Sequence, residues 1–131
     1  MELNFVAIIA STLIGMGLGA VWYSPVLFGN AWMKALGKTE ESLGDPKGAM
    51  IGAVCASLMT AIGIALLFSL TGISDITSAL KLALLLGVLI VFPALWSDNL
   101  FCGWGNQLLF IQAGYRVVTV VLMCVVMYFL S

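Results

Sequence analysis

The run QLLFIQAGYRVVTVVLMCVVMYFL, residues 107–130, is apolar over enough length to cross a lipid bilayer as a helix. Such a helix needs about 20 predominantly apolar residues, because each residue advances it by ~1.5 Å across ~30 Å of hydrocarbon. Three other runs meet this requirement, at about residues 5–23, 48–70 and 76–95. The sequence therefore predicts an all-α polytopic membrane protein, with four transmembrane helices in a single membrane domain over residues 1–131.

The composition leads to the same conclusion. Hydrophobic residues make up 63% of the 131 and charged residues only 8%, the formal net charge is −1, and the mean hydropathy is +1.17. A soluble domain is about one quarter charged, so these polar residues cannot cover a soluble surface. We expect the lipid bilayer to be the main partner of this surface. Nucleic-acid binding is excluded, because the chain has no basic field to attract phosphates.

The residue types that carry most enzyme chemistry are missing or scattered. The chain contains no histidine, which removes the commonest general base and the commonest metal ligand. The three cysteines, Cys55, Cys102 and Cys124, form neither a zinc-binding nor a disulfide pattern. We therefore expect no catalytic residues, no metal and no cofactor, and a function other than that of an enzyme.

The connection between the first two spans predicts a short helix on the membrane surface. Ser24-Pro25 is typical of a helix start and Gly37 of a helix end, so we expect an interfacial helix over about residues 25–36. Large aromatic residues surround it as in a membrane-interface belt. They are Trp22, Tyr23, Phe28 and Trp32.

The lysines predict the orientation of the chain in the membrane. Lys34, Lys38 and Lys47 lie in the first connection, whereas Lys81 alone lies toward the other side. By the positive-inside rule the first connection is cytoplasmic, and both termini then face outward.

Capping residues predict where the second and third spans begin. Asp45-Pro46 is typical of an N-cap followed by proline at the first helical position, which would open span two. Asp75, with Ser78 three residues later, would cap span three.

Two ladders of small residues predict close helix packing. Span one carries one at intervals of four residues, and span two carries another at the same interval. Such ladders let helix backbones approach each other closely. They favour either packing within one four-helix bundle or a homo-oligomer that uses one of the two faces. The members are Ser11, Gly15 and Gly19 in span one, and Gly48, Gly52, Ala56 and Thr60 in span two.

Arg116 is the one charged residue deep inside a span. An arginine at this depth costs about 2.5–3.5 kcal/mol on insertion scales, so it needs a polar environment. Gln112 and Thr119 lie one turn away on either side, and Tyr115 is adjacent. These residues form a polar stripe that should face protein or water instead of lipid.

Two interpretations of Arg116 remain open from the sequence. In the first, Arg116 donates to the backbone carbonyl of Leu89, which Pro93 leaves without its helical partner, and Gly87 permits the approach. In the second, residues 96–106 dip back into the membrane and bring Asp98 toward Arg116, so that the arginine lines a path for anions.

The first connection also carries a family resemblance. Its motif resembles the signature of the domain-of-unknown-function 1761 family of small, four-span, mostly bacterial membrane proteins. The residues that carry the resemblance are Trp22-Tyr23-Ser24-Pro25, Phe28-Gly29 and Trp32-Met33. The resemblance implies this architecture and the cytoplasmic membrane of a bacterium, and it implies no activity.

Two later elements are similar to the same family. They are Phe92-Pro93-Ala94 in span three and Ala113-Gly114-Tyr115 in span four. Val91 stands where the family pattern has glycine, and Arg116 stands where it often has histidine. Arginine stays protonated, so this chain would lack any proton-switching role at that position.

Two functions follow as hypotheses. The sequence favours a structural or accessory membrane protein, because deep polar groups are few. The alternative is a homo-oligomeric channel or transporter for a small solute, with an anion as the solute that Arg116 would select.

Overall fold

A computed structural model describes residues 3–130, apart from the side chains of residues 40 and 43. The described chain is helical, and four of its helices are long and apolar enough to cross a membrane. This confirms the expected fold class. The four spans are Phe5–Trp22, Lys47–Thr71, Ile76–Cys102 and Asn106–Leu130.

The first connection differs from its prediction at its beginning. Within the predicted range 25–36, helix forms only over Gly29–Leu36. The preceding residues 23–28 are turns, so the expected helix start at residue 25 is wrong. The amides of Leu27 and Gly29 both donate to the carbonyl of Ser24, which closes a turn before the helix begins. The helix ends at Gly37 as expected, in the left-handed conformation with φ of 71°.

A second short helix, Glu40–Leu43, was not predicted from the sequence. Its N-cap is Thr39, whose side chain accepts the backbone N–H of Ser42, while the Ser42 hydroxyl accepts the N–H of Thr39 at 2.8 Å. This reciprocal capping explains how so short a helix is held.

Span two begins one residue before its predicted bound of 48, and one residue after the helix start that Asp45-Pro46 predicted. Pro46 is the N-cap and Lys47 the first helical residue. The Asp45 carboxylate accepts the backbone N–H of Lys47 at 3.0 Å, so the aspartate still supports the helix start.

Span three is longer than predicted and irregular at its centre. It continues to Cys102 instead of ending near residue 95, and its middle, Leu85–Val91, is π-helical. Asp75 caps its start as expected and accepts from the backbone N–H of Ser78 at 3.0 Å. The re-entrant interpretation of residues 96–106 is wrong, because Phe92–Cys102 is helix and only residues 103–105 form the connection.

Span four is the central helix of the bundle. It packs mainly against spans one and three and less extensively against the helix Gly29–Leu36 and span two, and span two packs chiefly on span one. The core lies on the side of the bundle that contains the termini. It is formed by buried side chains from all four spans, and many of those from spans one to three are alanines. The members are Ala7, Ile8, Ala61, Ile64, Ala65, Phe68, Ala79, Ala83, Val120, Met123, Cys124 and Met127.

The two small-residue ladders have different environments. Ser11 and Gly15 of span one are buried, and a Cβ added to Gly15 would lie 2.7 Å from the Ser57 hydroxyl. This ladder therefore packs within the chain. In span two, Gly48 and Gly52 are exposed and have no atom within 4 Å of an added Cβ among the described residues.

Candidate functional site

The predicted polar stripe of span four lines one cavity. Gln112, Tyr115, Arg116 and Thr119 all contribute to a space of about 530 Å³. The cavity lies in the half of the bundle next to the first connection. Its other walls come from every span and from the helix Gly29–Leu36: Met16, Gly19, Ala20, Tyr23, Trp32, Ala49, Met50, Ala53, Ser57, Thr60, Val91, Val120 and Met123.

Hydrogen bonds between spans one and four fix the stripe in place. The Tyr115 hydroxyl donates to the carbonyl of Gly15 at 2.9 Å, and the Trp22 indole N–H donates to the carbonyl of Ile111 at 2.9 Å. The tyrosine ring can lie against span one because Gly19 has no side chain. A Cβ at this position would lie only 2.9 Å from the Tyr115 hydroxyl. Small residues in span one thus determine which face of span four meets the cavity.

The aromatic motif of the first connection builds the corner beside the cavity. Tyr23 packs edge-on against both Trp32 and Tyr115, with ring centroids 5.2 Å and 5.4 Å apart. Trp22 packs against Phe28 at 4.8 Å. Of the motif residues, Tyr23 and Trp32 line the cavity itself.

The remaining motif residues shape the turn. The Ser24 hydroxyl donates to the carbonyl of Val21 at 2.7 Å, which ends span one locally. Gly29 is buried, and a Cβ there would overlap the backbone of Tyr23 and Ser24. Pro25 is exposed at the tip of the turn, and no contact in the structure explains its presence.

Arg116 is not held by the backbone of span three. Its guanidinium carbon lies 5.2 Å from the centroid of the Tyr115 ring, in a cation–π contact. Among the described residues it makes no hydrogen bond or ion pair, so the proposed bond to the Leu89 carbonyl is wrong.

The backbone before Pro93 is π-helical, which the interpretation based on a regular α-helix did not anticipate. Just before the proline, the Phe92 amide donates five residues back, to the carbonyl of Gly87. Gly87 does permit a close approach, but to Val117, whose Cγ1 would lie 3.3 Å from an added Cβ. Pro93 is exposed and does not line the cavity.

Asp98 is separate from the site. It is exposed on the last turns of span three and is not among the residues that line the cavity. The structure therefore brings together the four residues of the span-four stripe with Tyr23 and Trp32, and leaves Asp98 and Pro93 outside.

The contribution of span two was missed from the sequence. Ser57 and Thr60 both line the cavity, together with the small residues Ala49 and Ala53. Two hydroxyls three residues apart in the middle of the span were the available signal. The exposed ladder residues Gly48 and Gly52 lie outside the cavity wall.

Most hydroxyl donors around the cavity are already used. Ser57 donates to the carbonyl of Thr12 at 3.1 Å, Thr60 to that of Ala56, and Thr119 to that of Tyr115. Within the described residues, the Trp32 indole N–H is buried and has no acceptor. No group of three or more His, Cys, Asp and Glu side chains that could hold a metal ion lies among those residues. The arrangement offers a guanidinium, an amide and an indole N–H on an otherwise largely apolar wall.

Comparison with known proteins places the architecture within one family. No curated protein and no solved structure matches the chain. The profile of one family, described as protein of unknown function (DUF1761), matches residues 6–128. This span includes all the motif residues and the whole cavity wall. The resemblance noted in the sequence is thereby confirmed, and the chain belongs to the DUF1761 family of proteins of unknown function.

Proposed function

We propose that this protein is a non-transporting accessory protein of the membrane that holds a ligand in the cavity beside Arg116. The observation that carries the proposal is the one-sided form of this cavity. It occupies about 530 Å³ in one half of the bundle, and Val120 and Met123 form its inner end. Both residues belong to the packed core, with exposed fractions of 5% and 0%.

A binding role accounts for the features of the site better than a conduction path does. The volume falls within the ~300–1,000 Å³ typical of ligand pockets. Beyond Met123 the core continues through Cys124 and Met127, which are 0% and 2% exposed. A solute that enters beside Arg116 therefore meets tightly packed side chains before it reaches the other face of the bundle.

Ligand retention tests the binding role directly. Wild-type protein would be purified in mild detergent and the bound molecules identified by mass spectrometry, with about one amphiphile expected per chain. Ala53→Trp places a large ring in the cavity and should abolish retention. Ile51→Trp is the matched control, because Ile51 is exposed on the same helix and does not line the cavity. Equal retention in both variants would contradict the proposal.

Flux through proteoliposomes tests the alternative, a channel or transporter. Val91 lines the cavity and ends the π-helical segment, and such segments are frequent at functional sites, which favours this second candidate. We expect no flux of anions, cations or protons above that of empty liposomes. An anion-selective flux that falls in Arg116→Ala would establish transport and overturn the accessory role.

The location and assembly of the protein form part of the same proposal. We propose the cytoplasmic membrane of a bacterium, with the first connection in the cytoplasm. Since Cys102 ends span three on that side, a membrane-impermeant maleimide should label it in inverted vesicles and not in intact spheroplasts.

We also propose self-association through the exposed face of span two. Gly52→Leu should weaken a cross-linked dimer that Gly17→Leu leaves intact, and an unchanged dimer would contradict this interface.

A further inference from the structure

The ligand of the cavity can be assigned a chemical class from the groups that surround it. Resting on the proposed binding role, we propose that this ligand is an anionic lipid. Its negatively charged headgroup pairs with Arg116, and its acyl chain leaves toward the bilayer between spans two and three. The charge of the cavity wall, the donors available there and the direction in which the cavity opens all fit this ligand.

Among the described residues, the wall carries one charge, and that charge is positive. Arg116 lines the cavity, and no aspartate or glutamate is among the residues that line it. Arginine stays protonated in proteins. The Tyr115 ring lies 5.2 Å from the guanidinium carbon and stabilises the cation, but it leaves the N–H donors without acceptors among the described residues. A guanidinium in this state is suited to a phosphate or carboxylate, which it binds through paired, charge-assisted hydrogen bonds.

The other polar groups are biased toward the same kind of ligand. The hydroxyls of Thr60, Thr119 and Tyr115 donate to backbone carbonyls, so these donors are not available to a ligand. Gln112 lines the cavity one turn before Arg116, and no other group is bonded to its amide among the described residues. The side-chain donors of the cavity wall that have no acceptor among the described residues belong to Arg116, Gln112, Tyr23 and Trp32. They could be satisfied by the acceptor oxygens of a phosphate group.

The rest of the wall fits an acyl chain. Met16, Met50, Ala53 and Val91 present apolar surface to the cavity. Residues 47–56 of span two are all exposed, because span two packs chiefly on span one while span three packs on span four. This leaves the cavity open between spans two and three, at bilayer depth. An acyl chain can extend through this opening into the hydrocarbon. A small water-soluble anion has no apolar part that would occupy the opening.

Lipid titration followed by native mass spectrometry tests the assignment. Delipidated protein in dodecyl maltoside would be titrated with dioleoylphosphatidylglycerol and, separately, with dioleoylphosphatidylcholine, which has the same chains and no net charge. We expect wild type to bind phosphatidylglycerol at least about tenfold more tightly, because the choline ammonium of phosphatidylcholine opposes the pairing of its phosphate with Arg116. Arg116→Gln should remove this preference. Lys81→Gln, which removes one positive charge outside the cavity, should keep it.

A second variant protects the test against misfolding. Gln112→Glu places a carboxylate one turn from Arg116, where the two side chains can pair on the same helix face. It should keep the fold, verified by circular dichroism, and lose the preference for phosphatidylglycerol. Retention of the wild-type preference in this folded variant would overturn the proposal.

The remaining outcomes separate the lipid assignment from the proposed function. Equal binding of the two lipids by wild type would overturn the anionic headgroup and leave a ligand-binding cavity. Displacement of phosphatidylglycerol by the same concentration of inorganic phosphate would assign the site to a free anion and overturn the lipid. Absence of any bound lipid in wild type and Ala53→Trp alike would overturn the binding role itself.

Discussion

Substitution of Gly29 by alanine should unfold the corner beside the cavity, although alanine is the better helix former. A Cβ at Gly29 would lie 2.8 Å from the carbonyl carbon and oxygen of Ser24, and closer still to the carbonyl oxygen of Tyr23. Ordinary Cβ contacts lie at 3.4–4 Å, so the turn would have to move by roughly 0.6 Å away from Ser24 and by more than that away from Tyr23. The atoms in the way belong to the backbone and cannot rotate aside as a side chain would.

The expected cost follows from these contacts. Overpacking in a closed site costs about 1–3 kcal/mol. The shift also strains the hydrogen bonds from Gly29 N to Ser24 O at 2.9 Å and from Phe28 N to Trp22 O at 3.0 Å. Each is worth about 0.5–1.5 kcal/mol. The helix preference of alanine over glycine returns only ~0.5–1 kcal/mol. We therefore expect a net destabilisation of about 2 kcal/mol.

Unfolding in mixed micelles measures this effect. The variant would be titrated with dodecyl sulfate in dodecyl maltoside and its helix content followed by circular dichroism. Gly17→Ala is the matched control, since Gly17 is helical and has no atom within 4 Å of an added Cβ among the described residues. It should match or exceed the stability of wild type. Coincident unfolding curves for the two variants would refute the role given to Gly29.

Three further predictions use the same titration. Tyr115→Phe removes the bond to the Gly15 carbonyl and should cost about 0.5–1.5 kcal/mol while keeping the ring under Arg116; unchanged stability would contradict that bond. Ser57→Ala should cost a similar amount, because its buried hydroxyl bonds the backbone of span one. Hydrogen bonds from Ser78 hold the pKa of Asp75 below its ordinary value of 3.8. The stabilisation from the ionised Asp75 cap is therefore complete above pH 3.8 and is lost as the pH falls through the lowered pKa. Wild type should therefore lose stability on acidification below about pH 4, and Asp75→Asn should start lower and lose less; parallel pH profiles would contradict this.

Much of the fold could be predicted because the bilayer imposes strict local requirements. Long apolar runs located all four helices, and Asp75 and Gly37 marked helix ends through chemistry contained in a few neighbouring residues. Predictions failed where the backbone departs from these local rules. Residues 23–28 form turns because Gly29 lets the chain fold back onto Ser24, and span three accommodates its proline with a π-helical segment.

The candidate site could be predicted only along span four. Helical spacing alone places Gln112, Tyr115, Arg116 and Thr119 close together, and in the structure all four line one cavity, which the sequence did not predict. The partners assigned to Arg116 were wrong, because they depended on the relative rotation and depth of two helices. A residue's spacing along its own helix carries no information about these quantities.

The sequence by itself determined that four helices span the membrane and that a single deep arginine must face a polar space, since hydrocarbon tolerates neither unbonded backbone nor an unshielded charge. The tertiary structure decided what surrounds that arginine. Spans one and two are apolar on nearly every side, so their sequences do not state which face turns inward. That choice depends on contacts between distant residues, such as Gly19 with Tyr115 and Ser57 with Thr12. These contacts place the polar stripe in an open cavity instead of against span three.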